Sequence, residues 1–155
     1  MGVEESETRH RATPIVSRVE GTHARIRGDL EALQHAADVQ VIRAVVEDLP
    51  GLLREHFDDE EKPDGLFDEL RGLRPVVESQ LKFLQQEHRE IMQALEDLQR
   101  QFQEADQVTT DGELEHRHDH IRVSADAFLN LVRHHERIES GLVAETFYTD
   151  DGGSG

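Results

Sequence analysis

Ten histidines occur in this chain of 155 residues. Four of them, His23, His56, His88 and His135, fall where helix-forming stretches place their apolar residues, one to each stretch. Two carry a glutamate four positions on: His56 with Glu60, and His135 with Glu139. On an α-helix, positions i and i+4 stand one above the other, so each pair presents an imidazole and a carboxylate to one spot. A lone histidine on an apolar face is ordinarily a hydrogen-bonded core residue. Carboxylates on the same faces shift the balance, because a buried unpaired carboxylate is very costly. Four imidazoles and two carboxylates make a poor core unless positive charge sits among them, and a pair of metal ions supplies it. The order is H then HxxxE, and then the same again. That symmetry suits two ions, with His23 and His56 on one, His88 and His135 on the other, and Glu60 and Glu139 between them. Imidazole with carboxylate suits iron, manganese or zinc, and ligand type alone does not choose. Six side chains shared by two ions leave open positions for a small molecule.

Four long helices must bring these residues together. The apolar stripes step by three and four, as the inward faces of bundled helices do. They read Val16, Val19, His23, Ile26, Leu30, Leu33, Ala37; then Val45, Leu49, Leu53, His56, Glu60; then Leu81, Leu84, His88, Ile91, Leu95, Leu98, Phe102; and last Ile121, Phe128, Leu131, His135, Ile138, Leu142, with Ser124 a weak member. Punctuation sets the ends. Thr13-Pro14 reads as an N-cap with proline at the first helical position, opening a helix over 14–37. Asp38 caps a second helix to 61, which Pro50-Gly51 should kink or split. Lys62-Pro63-Asp64-Gly65 is a turn, and 66–73 a short helical piece. Pro75 opens a third long helix to 105. Thr110-Asp111-Gly112-Glu113 has the form of a capping box before a fourth that runs to 147. The expected fold is all-α, an antiparallel up-down-up-down four-helix bundle over 13–148, with disordered segments at 1–12 and 149–155.

The ligand heights agree in part. His23 stands about 21 Å from the end of its helix and His56 about 26 Å from the start of the next, at the α-helical rise. For His88 and His135 the figures are about 27 Å and about 36 Å, a looser match.

Composition narrows the function. There is no cysteine, which removes disulfides, thiolate metal sites and cysteine catalysis. A net charge of −17, from 34 acidic and 17 basic residues, argues against nucleic acid and against an anionic membrane surface. The segment 1–11 is polar and acidic, without the apolar stretch of a secretory signal, so a cytoplasmic location is expected. Met1-Gly2-Val3-Glu4-Glu5-Ser6 fits the myristoylation pattern formally, but acidic residues follow the glycine. His116, His118 and His120 lie near a helix start and off the stripe, which reads as a solvated face. Glu61 is the main rival to Glu60 as a ligand; His134 is a rival to His135 but sits off the stripe.

His56-Phe57-Asp58-Asp59-Glu60-Glu61 is similar to the HFxxEE motif of the hemerythrin-like (HHE cation-binding) family. His135-Glu136-Arg137-Ile138-Glu139 resembles that family's last-helix motif, and His23 and His88 fall in the right order, so the resemblance spans 14–147. It implies a non-haem centre of two iron ions with an oxo or hydroxo bridge, for which zinc or manganese can substitute. It also implies a small diatomic ligand or peroxide as partner. Relatives are associated with storing or sensing dioxygen, sensing iron, and responding to nitric oxide or peroxide. Oxygen-carrying members have an HxxxH pair on the third helix, whereas here Met92 follows His88; they also use aspartate where this chain has Glu139. One imidazole fewer implies a more open iron. Two further readings stand beside a sensing or storing module: a di-iron enzyme that decomposes peroxide or reduces nitric oxide, in which Tyr148 takes part if it folds back, and a metal-free helical interaction bundle.

Overall fold

The computed structural model describes residues 14–148, with side chains from residue 21 onward. The Thr13 cap, the Gly2 motif, the side chains of Val16 and Val19 and both terminal segments lie outside that description. The chain forms α1 (Pro14–Gln34), α2 (Val39–Glu61), the short α3 (Leu66–Leu73), a 3-10 turn (Pro75–Val77), α4 (Glu78–Ala105) and α5 (Asp111–Tyr148), with no strand among the described residues. None of these helices is long and apolar enough to cross a membrane.

Local chemistry sets the boundaries. Expected to reach Ala37, α1 stops at Gln34 because its last turn tightens, with Ala36 N–H bonding back three residues to Leu33 O at 3.4 Å. Asp38 then takes an extended conformation, and its carboxylate accepts from the N–H groups of Gln40 and Val41 at 2.8 and 3.2 Å, satisfying donors that the first turn of α2 leaves free. Ala37 is exposed as a result, and Ala36 packs on the core in its place. Pro50 does not split α2; the helix runs through it with Pro50 buried among Leu49, Leu52 and Leu53, packing that offsets the missing backbone hydrogen bond. Beyond α2, Asp64 adopts φ of 61° and Gly65 N–H bonds to Lys62 O at 2.8 Å. A Cβ on Gly65 would stand 2.5 Å from Asp59 O and 2.8 Å from Lys62 O. Only glycine lets α3 begin this close to the end of α2.

The mismatch in height between His88 and His135 is absorbed at the far end of α5. Arg117 bonds Glu104 at 2.9 Å, Gln101 bonds Ser124 at 3.1 Å, and His135 meets Glu87 at 2.9 Å. Residue 117, rather than the start of α5, is therefore level with the end of α4, and the first turns of α5 run past it.

The buried stripe of α5 differs from the apolar pattern. It passes through Ile121, Ala125, Phe128, Val132, His135, Glu139, Leu142 and Thr146, while Ser124, Leu131 and Ile138 are half-buried. The face is rotated by about one residue because Glu139, a carboxylate, occupies its centre. Two apolar clusters result. The larger holds Ile26, Leu30, Leu49, Leu53, Ile91, Leu95 and Phe128; the smaller holds Leu66, Phe67 and Leu70 of α3 with Leu81, Leu84 and Leu142. On α4, His88 lies between Leu84 of one cluster and Ile91 of the other. On α5, His135 and Glu139 lie between Val132 and Leu142. A polar layer is thus enclosed between two apolar ones.

Candidate metal centre

All six side chains singled out by spacing meet in that layer. His23 comes from α1, His56 and Glu60 from α2, His88 from α4, and His135 and Glu139 from α5. They are shut off from solvent: Glu60 and Glu139 are 0% exposed, and His23, the most accessible, is 6% exposed. The HxxxE spacing acts as the helix dictates, with His56 Nε2 3.2 Å from Glu60 Oε1 and His135 Nε2 3.2 Å from Glu139 Oε2. The two carboxylates also reach across the bundle. Glu139 Oε1 lies 3.0 Å from His23 Nε2 and 3.7 Å from His56 Nε2, and Glu60 Oε1 lies 3.3 Å from His88 Nε2.

Two sets of possible ligands result. His23, His56, Glu60 and Glu139 form one, and Glu60, His88, His135 and Glu139 the other, with the donor atoms of each set within 4.8 Å of one another. Their rings pair likewise, His23 with His56 at 4.3 Å between centroids and His88 with His135 at 4.8 Å. Short as the contacts are, they lack hydrogen-bond geometry. The Nε2 atoms of His23, His88 and His135 and both oxygens of Glu60 and of Glu139 are buried without a hydrogen-bond partner. Such atoms cost about 1–3 kcal/mol each when left unsatisfied. Buried nitrogen lone pairs and carboxylate oxygens converging at this spacing fit cations of the iron, manganese or zinc type.

Electrostatics without a cation tells the same story. Burial raises the Glu60 carboxyl well above its ordinary range, helped by the charges of Glu139, Glu61 and Asp59. Burial acts in the same direction on Glu139, but its contacts with Glu60, His135, His23 and His88 outweigh burial and hold it well below. The two buried carboxyls are thus driven in opposite directions, Glu60 toward the neutral form and Glu139 toward the charged one. Burial lowers His56 to about 3 against the opposing charge of Glu139, with the other three imidazoles adding to the fall. His56 is a neutral imidazole at any physiological pH, the state in which it can ligate.

Two carboxylates sit behind the imidazoles. Glu61 Oε2 is 2.6 Å from His88 Nδ1, and Glu87 Oε1 is 2.9 Å from His135 Nδ1. Glu61 is thus outside the central layer and exposed, where its rivalry with Glu60 had been open; His134 is exposed too. Glu87 is hard to find from sequence because its charge hides it in an apolar pattern. It does stand three residues after Leu84 and four before Ile91, on the buried face, and is 4% exposed. Phe57, which the sequence offers only as part of a motif, stacks on His88 at 3.8 Å and 14°, with Phe67 at 5.7 Å, fixing that ring in plane. A cleft of about 670 Å³ lined by Arg54, Phe57, Glu61, His88, Arg89 and Met92, among others, opens beside His88. Among the described residues, no group of three ligating side chains forms around His116, His118 and His120. Tyr148 is 68% exposed and takes no part in the layer.

The hemerythrin HHE cation-binding domain model matches residues 15–147, and the chain belongs to that family. Cation binding is its defining property, and the buried His/Glu layer is compatible with it. No curated protein and no solved structure matched the chain.

Proposed function

We propose that this protein is a non-haem di-iron module that stores, senses or responds to a small diatomic ligand, peroxide or iron. His23 and His56 bind one ion, His88 and His135 the other, and Glu60 and Glu139 are shared. The bundle, residues 13–148, runs up-down-up-down, an arrangement in which the ligands of the four long helices come level. What carries this reading is the sharing: two four-residue ligand sets overlap in two buried carboxylates that have no other hydrogen-bond partner.

Iron in such a site supplies electrons and open coordination positions, and the chain supplies the rest. Glu61 and Glu87 accept from Nδ1–H of His88 and His135, which leaves Nε2 of each ring as the ligating nitrogen. Phe57 clamps the His88 ring, and the apolar clusters on either side exclude water. With Met92 four residues beyond His88, no imidazole occupies that position, and the adjoining cleft gives a small molecule a way in.

The test is metal content and optical absorption for protein expressed with added iron, as wild type and as His56→Ala. Two irons per chain with near-ultraviolet charge-transfer absorption, both reduced in the variant, are expected. Steady turnover of peroxide would move the reading from sensor to enzyme. Well-folded protein that takes up no iron would sink it and leave the metal-free interaction bundle.

A further inference from the structure

The two halves of the site match in ligand type but not in what stands behind the ligands. His88 and His135 each have the outer nitrogen tied to a carboxylate, through Glu61 at 2.6 Å and Glu87 at 2.9 Å. Glu87 is nearly closed to solvent, at 6% side-chain exposure against 36% for Glu61, so its charge is the less screened of the two. On the other side, His56 Nδ1 is buried with no hydrogen-bond partner, and among the described residues no carboxylate bonds an outer nitrogen of His23. Glu136 is near enough for its charge and that of His23 to interact, but its buried Oε1 is unbonded. A carboxylate behind a ligating imidazole fixes its tautomer and makes it a stronger donor; losing one typically costs 10–100-fold in metal affinity.

We infer that the two metal positions are unequal, and that the His88–His135 position is the tighter and fills first, with Glu87 and Glu61 as the positioning residues that set the order. The inference rests on the metal reading above and adds to it a direction that ligand identity alone does not give. The shared carboxylates cannot be the source, since Glu60 and Glu139 serve both positions. Repulsion between the ions would also separate two binding steps, so the order of filling must be assigned rather than the separation merely observed.

The experiment is a cobalt(II) titration of metal-freed full-length protein, followed by visible absorption and by calorimetry. The wild type should bind in two steps. His56→Ala should keep the tighter step and weaken the other, and His135→Ala should do the reverse. Glu87→Gln, nearly isosteric, should weaken the tighter step by about 10–100-fold and leave the weaker one in place, with helix content unchanged by circular dichroism. Glu61→Gln, at a partly exposed position, should shift the same step by less. The inference is overturned if His56→Ala removes the tighter step, or if Glu87→Gln and Glu61→Gln both leave it unchanged or lower the two steps equally. A wild type that binds no cobalt would overturn the metal reading itself, a result distinguishable from two ions bound in the other order.

Discussion

Replacing Glu60 by methionine should change the sign of its effect on stability according to whether metal is bound. Glu60 is 0% exposed, and both its carboxylate oxygens lack hydrogen-bond partners. In metal-free protein this carboxyl escapes the full cost of burial only by taking up a proton, and its neighbours are the polar groups of the same layer. An unbranched apolar side chain of similar length removes the unsatisfied oxygens and packs between the two apolar clusters. With unsatisfied buried groups costing about 1–3 kcal/mol, Glu60→Met should stabilise the metal-free protein by about 1–3 kcal/mol. For a domain of this size each kcal/mol moves Tm by about 2–4 °C. With metal the order reverses. Ligand at a thousand times Kd stabilises the wild type by about 4 kcal/mol, and the variant loses the carboxylate common to both positions. Urea and thermal unfolding, each run with chelator and with ferrous iron, read both arms. A variant less stable than wild type in chelator would refute the reasoning, because it would mean that the carboxylate and the imidazoles already satisfy one another as a structural network.

Two other expectations concern the fold around the layer. Burial, with Asp48 beside it, raises Asp29 to about 6 against the pull of Arg25. A raised carboxyl contributes stability that is complete below its unfolded value of 3.8 and is lost as pH climbs through about 6. Asp29→Asn should therefore gain on the wild type between pH 4 and pH 7, in parallel urea series at the two pH values; an equal difference at both would contradict the assignment. Gly65→Ala places a methyl 2.5 Å from Asp59 O and 3.0 Å from Glu60 O. It should cost about 1–3 kcal/mol as overpacking does, and weaken metal uptake by moving the turn of α2 that carries Glu60. Unchanged stability and uptake would show that α3 can shift at no cost.

Much of this architecture is legible in the residues themselves. Steps of three and four placed His23, His56 and His88 on faces that the structure buries, since apolar neighbours on the same helix report where the core is. The signal fails where polar groups take core positions. Glu139 rotates the buried face of α5 away from Ile138, and Glu87 lies inside the α4 stripe under the appearance of a solvated charge. Neither can be found by counting apolar residues. Both can be found by asking which charges fall at stripe spacing, as Glu87 does between Leu84 and Ile91. The early end of α1 was hidden for a different reason: Asp38 must be extended to cap α2, and that demand reaches back through residues whose own helix propensity is good. The overlap in height between α4 and α5 depended on how far α5 runs past its neighbour, which a rise per residue does not contain.

The contact between His23 and Glu139 joins the first described helix to the last. No local segment holds a ligand set: each of the two draws on α5, and one draws on α1 as well. Closing so long a loop is an entropic cost that must be met by the fold before any ion can be gripped. During synthesis the chain would thus be unable to assemble either position until residue 139 had been made and α5 had docked. Metal would be selected by a finished bundle, with its geometry already imposed, rather than captured by a nascent chain at the mercy of whichever cation is most abundant. In this respect a metal centre here would be a late checkpoint on folding rather than its nucleus.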